Sequence, residues 1–388
     1  MQVSQVYELV NTTTQEVLGS EAIVNEDLSN LVDIGEQVIN AKAIENFTRT
    51  LVDHIGKVIF VNRKYSGSAP KVLMDGWEYG SILEKIASEM PEATENESWE
   101  LQDGQSYDPN IFYKPKVSAK FFNKRITFEI DRSFTERQVK SAFSSATQMN
   151  AFLSMLENEV DKSLTVKIDS LIMRTINNMT AQTINAGGSN RVVNLLTAFN
   201  TAYSSSLSSP LTAADAIYTP EFIRFASFVM GKYVKRLGKM STLFNIGGMH
   251  RFTPADKLHI VLLDEFMQAS KIFLQSDTFH NELVALPNAE SVPFWQGSGT
   301  DYAYGNTSKI DVTIEDSTQD SGKTRVQQQY VLGVMFDRDA LGVANLDRRV
   351  TTNYNPKAEF YNNFYKFDAG YFNDANENYI VFTAASAS

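Results

Sequence analysis

The feature of this sequence that most constrains its fold is a long amphipathic helix predicted between Ser144 and about Asn178. Apolar residues recur there every three to four positions without an intervening proline or glycine, and the run ends near the Gly187-Gly188 pair. The apolar positions are Met149, Phe152, Leu153, Leu156, Val160, Leu164, Ile168, Leu171, Ile172 and Ile176. At 1.5 Å per residue this helix is roughly 50 Å long, which is more than one small globular body can cover. We therefore expect a spine on which other elements pack, with Leu156 and Leu164 in its core.

A strand-rich stretch precedes this helix. Val58–Val61 and Val117–Ile130 predict two long strands, and apolar residues alternate along the second. The segment between them is polar and acidic, with turn signals at Asp103-Gly104 and Asp108-Pro109. This pattern predicts an extended hairpin that reaches out from the body of the protein.

The chain after Gly188 mixes helices and strands. Pro220–Leu237 predicts a helix that opens with a proline, and Leu258–Leu263 predicts a buried strand. Tyr330–Phe336 predicts another strand, and the aromatic-rich segment Arg349–Phe382 predicts a final meander with a turn near Asn373-Asp374. We interpret the aromatic residues as a sheet core rather than as a binding platform.

These elements indicate an α+β protein that divides into five regions. An arm and a helix occupy residues 1–55, and the extended loop, a long β-hairpin, occupies residues 56–132. The spine helix occupies residues 133–187 and a mixed α/β domain with connecting loops occupies residues 188–328. Residues 329–388 form a returning β segment. Apolar residues recur at helical spacing after Asn25-Glu26-Asp27, and this pattern predicts the helix of the first region.

Charge is unevenly distributed along the chain. Residues 1–55 carry nine acidic and two basic side chains, and the chain as a whole has a net charge of −11. Residues 114–140 carry eight basic and three acidic side chains, so Lys120, Lys124 and Arg125 are candidates for pairing with an acidic surface of a neighbouring subunit. A solvated face is the simpler interpretation of each block. The net charge argues against a nucleic-acid-binding surface over the whole chain, but an acidic wall beside DNA stays possible.

The sequence offers no recognisable catalytic or cofactor motif. There is no cysteine, which excludes disulfides, thiolate-bound zinc, iron–sulfur clusters and a cysteine nucleophile. The four histidines lack the spacing of a helical metal pair, and neither a Gly-x-Ser-x-Gly elbow nor a phosphate-binding glycine loop occurs. No apolar run approaches the roughly 18 residues of a membrane span. We expect no cofactor, no metal, no membrane association and no enzymatic activity.

The segment Gly333–Val343 contains the sequence Phe336-Asp337-Arg338-Asp339-Ala340, a predicted strand followed by a charged turn. This motif resembles the end of the major capsid (head) proteins of tailed bacteriophages, in particular podophages of Gram-positive hosts. The upstream Val292-Pro293-Phe294-Trp295-Gln296-Gly297 resembles part of the same signature. The order of arm, extended loop, spine helix, mixed domain and returning β segment is similar over essentially the whole chain.

The resemblance implies a peripheral domain built on the spine helix and an axial domain around a local symmetry axis. It implies that copies of the chain form hexamers and pentamers of an icosahedral head, with the extended loop and the arm embracing neighbours. The implied partners are a separate scaffolding protein, a portal, and double-stranded DNA held without sequence-specific contact. The implied location is the virion, after synthesis in the host cytoplasm. The lysine and asparagine that crosslink some family members have no recognisable counterparts here.

Three alternatives stay open at the level of sequence. An encapsulin-like cellular compartment shell shares the implied fold. A carbohydrate-binding tail protein, or a carbohydrate hydrolase assembled from distant carboxylates and aromatic residues, belongs to a different class. Electron microscopy separates these possibilities, because shells, fibres and soluble monomers look different.

Overall fold

The computed structural model describes residues 3–19, 24–25, 29–40, 46–47, 50, 70–74, 83–91, 93, 95, 103–104, 106, 108, 110–135, 137–138, 146–206, 209–275, 289–295, 308–315 and 322–385. The helices are α1 (Val3–Leu18), α2 (Leu31–Asn40), α3 (Ala146–Ala186), α4 (Leu195–Ala202), α5 (Ala213–Ala216), α6 (Pro220–Leu237) and α7 (Asp264–Gln275). The strands are β1 (Leu73–Met74), β2 (Leu83–Ser88), β3 (Val117–Phe122), β4 (Arg125–Thr135), β5 (Val192–Asn194), β6 (Leu258–Leu263), β7 (Ala289–Val292), β8 (Lys309–Glu315), β9 (Lys323–Gln329), β10 (Val331–Asp337), β11 (Leu341–Asn355), β12 (Phe360–Asn373) and β13 (Tyr379–Thr383).

Helix α3 is the predicted spine, and it continues further than the periodic pattern indicated. It has 41 residues, which corresponds to roughly 60 Å at 1.5 Å per residue. It ends where Gly187 and Gly188 adopt left-handed backbone angles, with φ of 62° and 98°. Leu164 is buried in the core. Leu156 lies in the first part of the helix, where only the backbone is described.

A five-stranded sheet forms the centre of one half of the protein. Its strand order is β5-β13-β10-β6-β7, and every residue of the central strand β10 is buried. Gly333 of β10 is required by packing, because a Cβ atom there would lie 2.6 Å from the Leu262 side chain and 2.8 Å from the Val261 carbonyl oxygen. Residues of helices α4, α6 and α7 pack in the same core.

A four-stranded sheet, in the order β1-β11-β12-β4, belongs to the other half. Strands β11, β12 and β4 are antiparallel and long, and Phe128 of β4 packs on Phe367 of β12 with ring centroids 5.3 Å apart. The prediction of one strand over Val117–Ile130 was wrong. The chain leaves strand geometry at Asn123 and Lys124, because β3 pairs with β2 whereas β4 needs the body sheet to cover its apolar side. The predicted strand Val58–Val61 lies outside the described residues.

The chain crosses between the two sheets at two neighbouring turns. The first crossing joins β10 to β11 through residues 338–340, and the second joins β12 to β13 through residues 374–378. The two crossings are hydrogen-bonded to each other: Asp374 N donates to Ala340 O at 2.7 Å, and Asp337 N donates to Asn378 O at 3.0 Å. We call the pair of crossings the joint.

Candidate functional site at the joint between the two sheets

The family-like motif Phe336–Ala340 forms the first crossing. Phe336 is fully buried at the end of β10, where its ring stacks on Tyr379 with centroids 5.4 Å apart. The buried Asp337 carboxylate fixes the turn, since it accepts hydrogen bonds from Thr253 Oγ1 at 2.8 Å and from Asp339 N at 2.9 Å. The motif therefore acts first as a turn that directs the chain from one sheet to the other.

The rest of the motif holds the segment before β6. Arg338 N donates to Lys257 O at 2.9 Å, and Lys257 Nζ lies 2.9 Å from Asp339 Oδ2. The hydrogen bond to Asp339 raises the pKa of Lys257. Ala340 is fully buried.

Two acidic residues of the second crossing, Asp374 and Glu377, form ion pairs with basic side chains from other parts of the chain. Asp374 is buried, and its two oxygens accept hydrogen bonds from Lys85 Nζ and Lys120 Nζ, each at 2.9 Å. Burial by itself raises the pKa of Asp374. The hydrogen bonds from the two lysines lower it by more than burial raises it, so the pKa of this carboxyl lies below its ordinary value. Asp374 is therefore held as a carboxylate.

Glu377 has the opposite electrostatic balance. Its carboxylate lies 3.5 Å from Lys85 Nζ and 3.3 Å from Arg251 Nε. Burial raises its pKa, and the attraction of Lys85 and Arg251 only partly offsets that effect. The two acids of one turn thus differ in how readily they take up a proton.

Lys85 connects both crossings to the strand pair β2 and β3, which we call the extended ribbon. Besides Asp374, its ammonium group donates to the Asp339 carbonyl oxygen at 2.7 Å. Beside it, the Phe122 and Phe372 rings lie with centroids 5.1 Å apart. These contacts hold the inner face of the ribbon on the joint.

The outer face of the extended ribbon is exposed and mostly apolar, with Glu84 and Ser88 as its polar members. Ile86 and Phe121, which point away from Lys85 and Lys120 by strand alternation, are 67% and 61% exposed. Val117 continues this face, and Phe112 and Tyr113, just before β3, are 83% and 81% exposed. A soluble hairpin normally turns its apolar face to the body and its charges to water. The ribbon instead leaves Ile86, Phe121 and Val117 exposed on its outer face.

The structure separates the three basic residues predicted for intersubunit pairing. Lys120 pairs with Asp374 of its own chain, while Lys124 and Arg125 have exposed side chains at the start of β4. Sequence reasoning treated Asp374 only as part of a turn and did not single out Lys85. No local pattern could have revealed them, because their partners lie more than 200 residues away along the chain.

The joint has the chemistry of a structural clamp. Within the described ranges, no group of three or more acidic or histidine side chains could hold a metal ion. None of the helices described is long and apolar enough to cross a membrane. What the arrangement offers is a set of charge pairs between two sheets and a protruding ribbon.

A long spine helix, two sheets joined by adjacent crossings and a protruding ribbon make up a fold that this chain shares with chains of phage capsids. The fold is similar to a chain of the capsid of Staphylococcus phage Andhra, with 11% identity, a TM-score of 0.54, and coverage of 84% of this chain and 87% of that chain. It is also similar to a chain in the structure of the head fiber and inner core protein gp22 of native bacteriophage P68, with 9% identity, a TM-score of 0.52, and coverage of 83% and 86%. At these identities the likeness shows the fold.

The family model described as Phi29-like phage major capsid protein matches residues 10–383, and the chain belongs to that family. A curated relative, the major capsid protein of Bacillus phage GA-1, is 24% identical over 169 residues. That alignment covers 42% of this chain and 34% of the relative, so the chain matches about a third of the relative's length. The chain is thus a member of a phage major capsid protein family, which favours a phage head protein over the compartment shell, the tail protein and the hydrolase.

Proposed function

We propose that this protein assembles with copies of itself into hexamers and pentamers of an icosahedral head that encloses double-stranded DNA. Family membership supports the proposal, and the exposed apolar face of the extended ribbon carries it. The role is structural and non-enzymatic, and it needs no metal or cofactor. A separate scaffolding protein and a portal are further partners expected from the resemblance.

The ribbon is the part of the subunit that most needs a partner. A two-stranded hairpin is marginally stable in water by itself, and here its apolar side chains face outward. Burying one large apolar side chain contributes about 1.5–3 kcal/mol. A neighbouring copy that covers Ile86, Phe121 and Val117 gains this stabilisation at every contact in the shell.

We propose that the two halves of the protein correspond to a peripheral and an axial domain. We assign α3 and the four-stranded sheet to the peripheral domain, since Asn373 Nδ2 of β12 donates to the Thr175 carbonyl oxygen of α3. We assign the five-stranded sheet with α4, α6 and α7 to the axial domain. The arm of residues 1–55, which includes α1 and α2, is the second element proposed to contact a neighbour.

The test replaces the apolar face of the ribbon without touching the joint. In the variant Ile86→Glu with Phe121→Glu, subunits should keep the melting temperature of the parent but yield no particles by sedimentation and electron microscopy. The control, Ser204→Glu with Ser205→Glu, adds the same charge at exposed positions of another turn and should assemble normally. Normal particle yield from the ribbon variant would contradict the proposal.

A further inference from the structure

The exposed face of helix α6 is positively charged on a chain whose net charge is negative. Residues 220–239 contain five basic side chains and one acidic side chain, whereas the whole chain has a net charge of −11. The five basic residues are Arg224, Lys232, Lys235, Arg236 and Lys239, and the acidic residue is Glu221. All six side chains are exposed. The sign of the charge is therefore reversed locally.

Helical geometry gathers this charge on one side of α6. Arg224, Phe228, Lys232 and Lys235 follow one another at intervals of three and four residues, which places them on one face. The opposite face is buried in the core of the five-stranded sheet. From Arg224 to Arg236 the basic face is about 18 Å long at 1.5 Å per residue.

The requirements of the fold explain only part of this charge. Basic side chains in the last turn of a helix interact favourably with the helix dipole, which accounts for Lys235 and Arg236. The Arg236 guanidinium also lies 5.2 Å from the centroid of the Tyr233 ring. The side chains of Lys232 and Lys239 make no ion pair or hydrogen bond within the described part of the chain. Their charge is available to a partner.

We propose that this basic face of α6 is the surface through which the subunit contacts the phosphate backbone of packaged double-stranded DNA. The proposal rests on the proposed function, because a head protein meets DNA at its inner wall. Lysine and arginine contacts to phosphate give affinity without reading sequence, as a container requires. The net negative charge of the chain repels phosphate, so the duplex approaches where the local charge is positive. The other basic block, residues 114–140, is assigned to contacts between subunits. The proposal also orients the subunit, with this face of α6 turned inward.

An acidic protein is the competing occupant of the face, and the residue types argue against it. The centres of protein–protein interfaces are depleted of lysine and rich in apolar side chains. On the exposed face of α6, Phe228 is the one large apolar side chain, at 66% exposed, and basic residues surround it. Such a face lacks the apolar core of a protein interface and has the composition of a phosphate-binding surface.

The test measures how the affinity for DNA depends on salt. Fluorescence anisotropy of a short labelled duplex of mixed sequence is recorded with purified subunits over a series of salt concentrations. Each phosphate contact contributes about 0.9 to the slope of log K against log salt, so Lys232→Gln with Lys235→Gln should reduce the slope by about 2. The control Lys162→Gln with Lys357→Gln removes two exposed lysines elsewhere and should leave the slope unchanged.

Particle yield, measured on the same variants, separates this inference from the proposed function. Normal particles together with a reduced slope support both. Normal particles with an unchanged slope, or with no binding of DNA by the parent at low salt, overturn the DNA contact and leave the shell function standing. Loss of particles with an unchanged slope assigns the face to a protein partner and also overturns the DNA contact. If the parent itself forms no particles, the shell function fails, and the slope still decides the inference.

A second measurement uses the absence of cysteine from the chain. Lys232→Cys and Lys357→Cys each provide a single site for a photoactivated crosslinker in DNA-filled particles. Crosslinking to DNA should be several-fold greater from position 232 than from position 357. Equal yields at the two positions would overturn the proposal.

Discussion

The ammonium group of Lys85 lies 2.9 Å from the Asp374 carboxylate, although 289 residues separate the two along the chain. The same group donates to the carbonyl oxygen of Asp339 at 2.7 Å. One side chain of the extended ribbon therefore holds both crossings between the two sheets. In a capsid subunit, this places the attachment of the ribbon at the point where the two halves of the protein meet.

The Lys85 clamp should be required for the stability of the subunit. Lys85→Met leaves the buried Asp374 with Lys120 as its remaining cationic partner. We expect a loss of about 2 kcal/mol in the free energy of unfolding, the magnitude of a hydrogen bond to a charged group. Urea unfolding measures the loss, and amide hydrogen exchange in residues 83–88 and 117–122 should accelerate. Lys116→Met breaks the exposed pair with Glu89 and should change stability by about 0–1 kcal/mol. Equal losses in the two variants would contradict the clamp.

Asp374 and Glu377 should respond to pH in opposite directions. The lowered pKa of Asp374 contributes stability that is present above the ordinary carboxyl pKa of about 4 and is lost as pH falls through the lowered value. The raised pKa of Glu377 means that stability declines as pH rises from about 4.3 through the raised value.

At pH 7, Asp374→Asn should therefore destabilise the subunit, while Glu377→Gln should leave its stability unchanged or increased. The deficit of Asp374→Asn relative to the parent should shrink below pH 4 or so. Thermal unfolding of the three proteins across this pH range tests both signs. A larger loss from Glu377→Gln than from Asp374→Asn at pH 7 would show that the pairing with Arg251 dominates instead.

The apolar stripe of the spine helix should not accept a charge. Leu164 is 1% exposed, so Leu164→Glu buries a carboxylate without a partner, which destabilises by several kcal/mol and prevents folding of a marginally stable subunit. The expression level of soluble protein and its melting temperature report the effect. Val166→Glu, at a position 45% exposed on the same helix, is the matched control and should be tolerated. Leu156→Glu should match Leu164→Glu if the stripe continues to that residue.

Charge reversal at Lys120 should have a different effect from charge reversal at Lys124 and Arg125. Lys120→Glu places a carboxylate beside Asp374 and should lower the melting temperature of the free subunit. Lys124→Glu and Arg125→Glu alter exposed side chains, so the subunits should stay folded while particle yield falls through lost contacts with acidic neighbours. Normal particle yield from the Lys124 and Arg125 variants would remove the predicted intersubunit role of these residues.

The sequence by itself determined the elements whose signals are local. The period of apolar residues located α3, the Gly187-Gly188 pair located its end, and Thr219-Pro220 located the start of α6. The backbone hydrogen bonds of a helix lie within the helix, and one of its faces packs on the core. The spacing of apolar residues along a short stretch of sequence therefore reveals the helix. Short, nearly continuous apolar runs likewise located β6 and β10.

Only the tertiary structure decided how those elements are joined. The division of Val117–Thr135 into two strands follows from their partners, β2 and β12, which are distant in sequence. The clamp of Lys85 on Asp374 depends on two sheet crossings that happen to be adjacent in space. A strand pair or an ion pair forms between segments that are distant in sequence. Many alternative pairings of the same segments match equally well in hydrophobic pattern and in charge. The packing of the whole chain selects one of them.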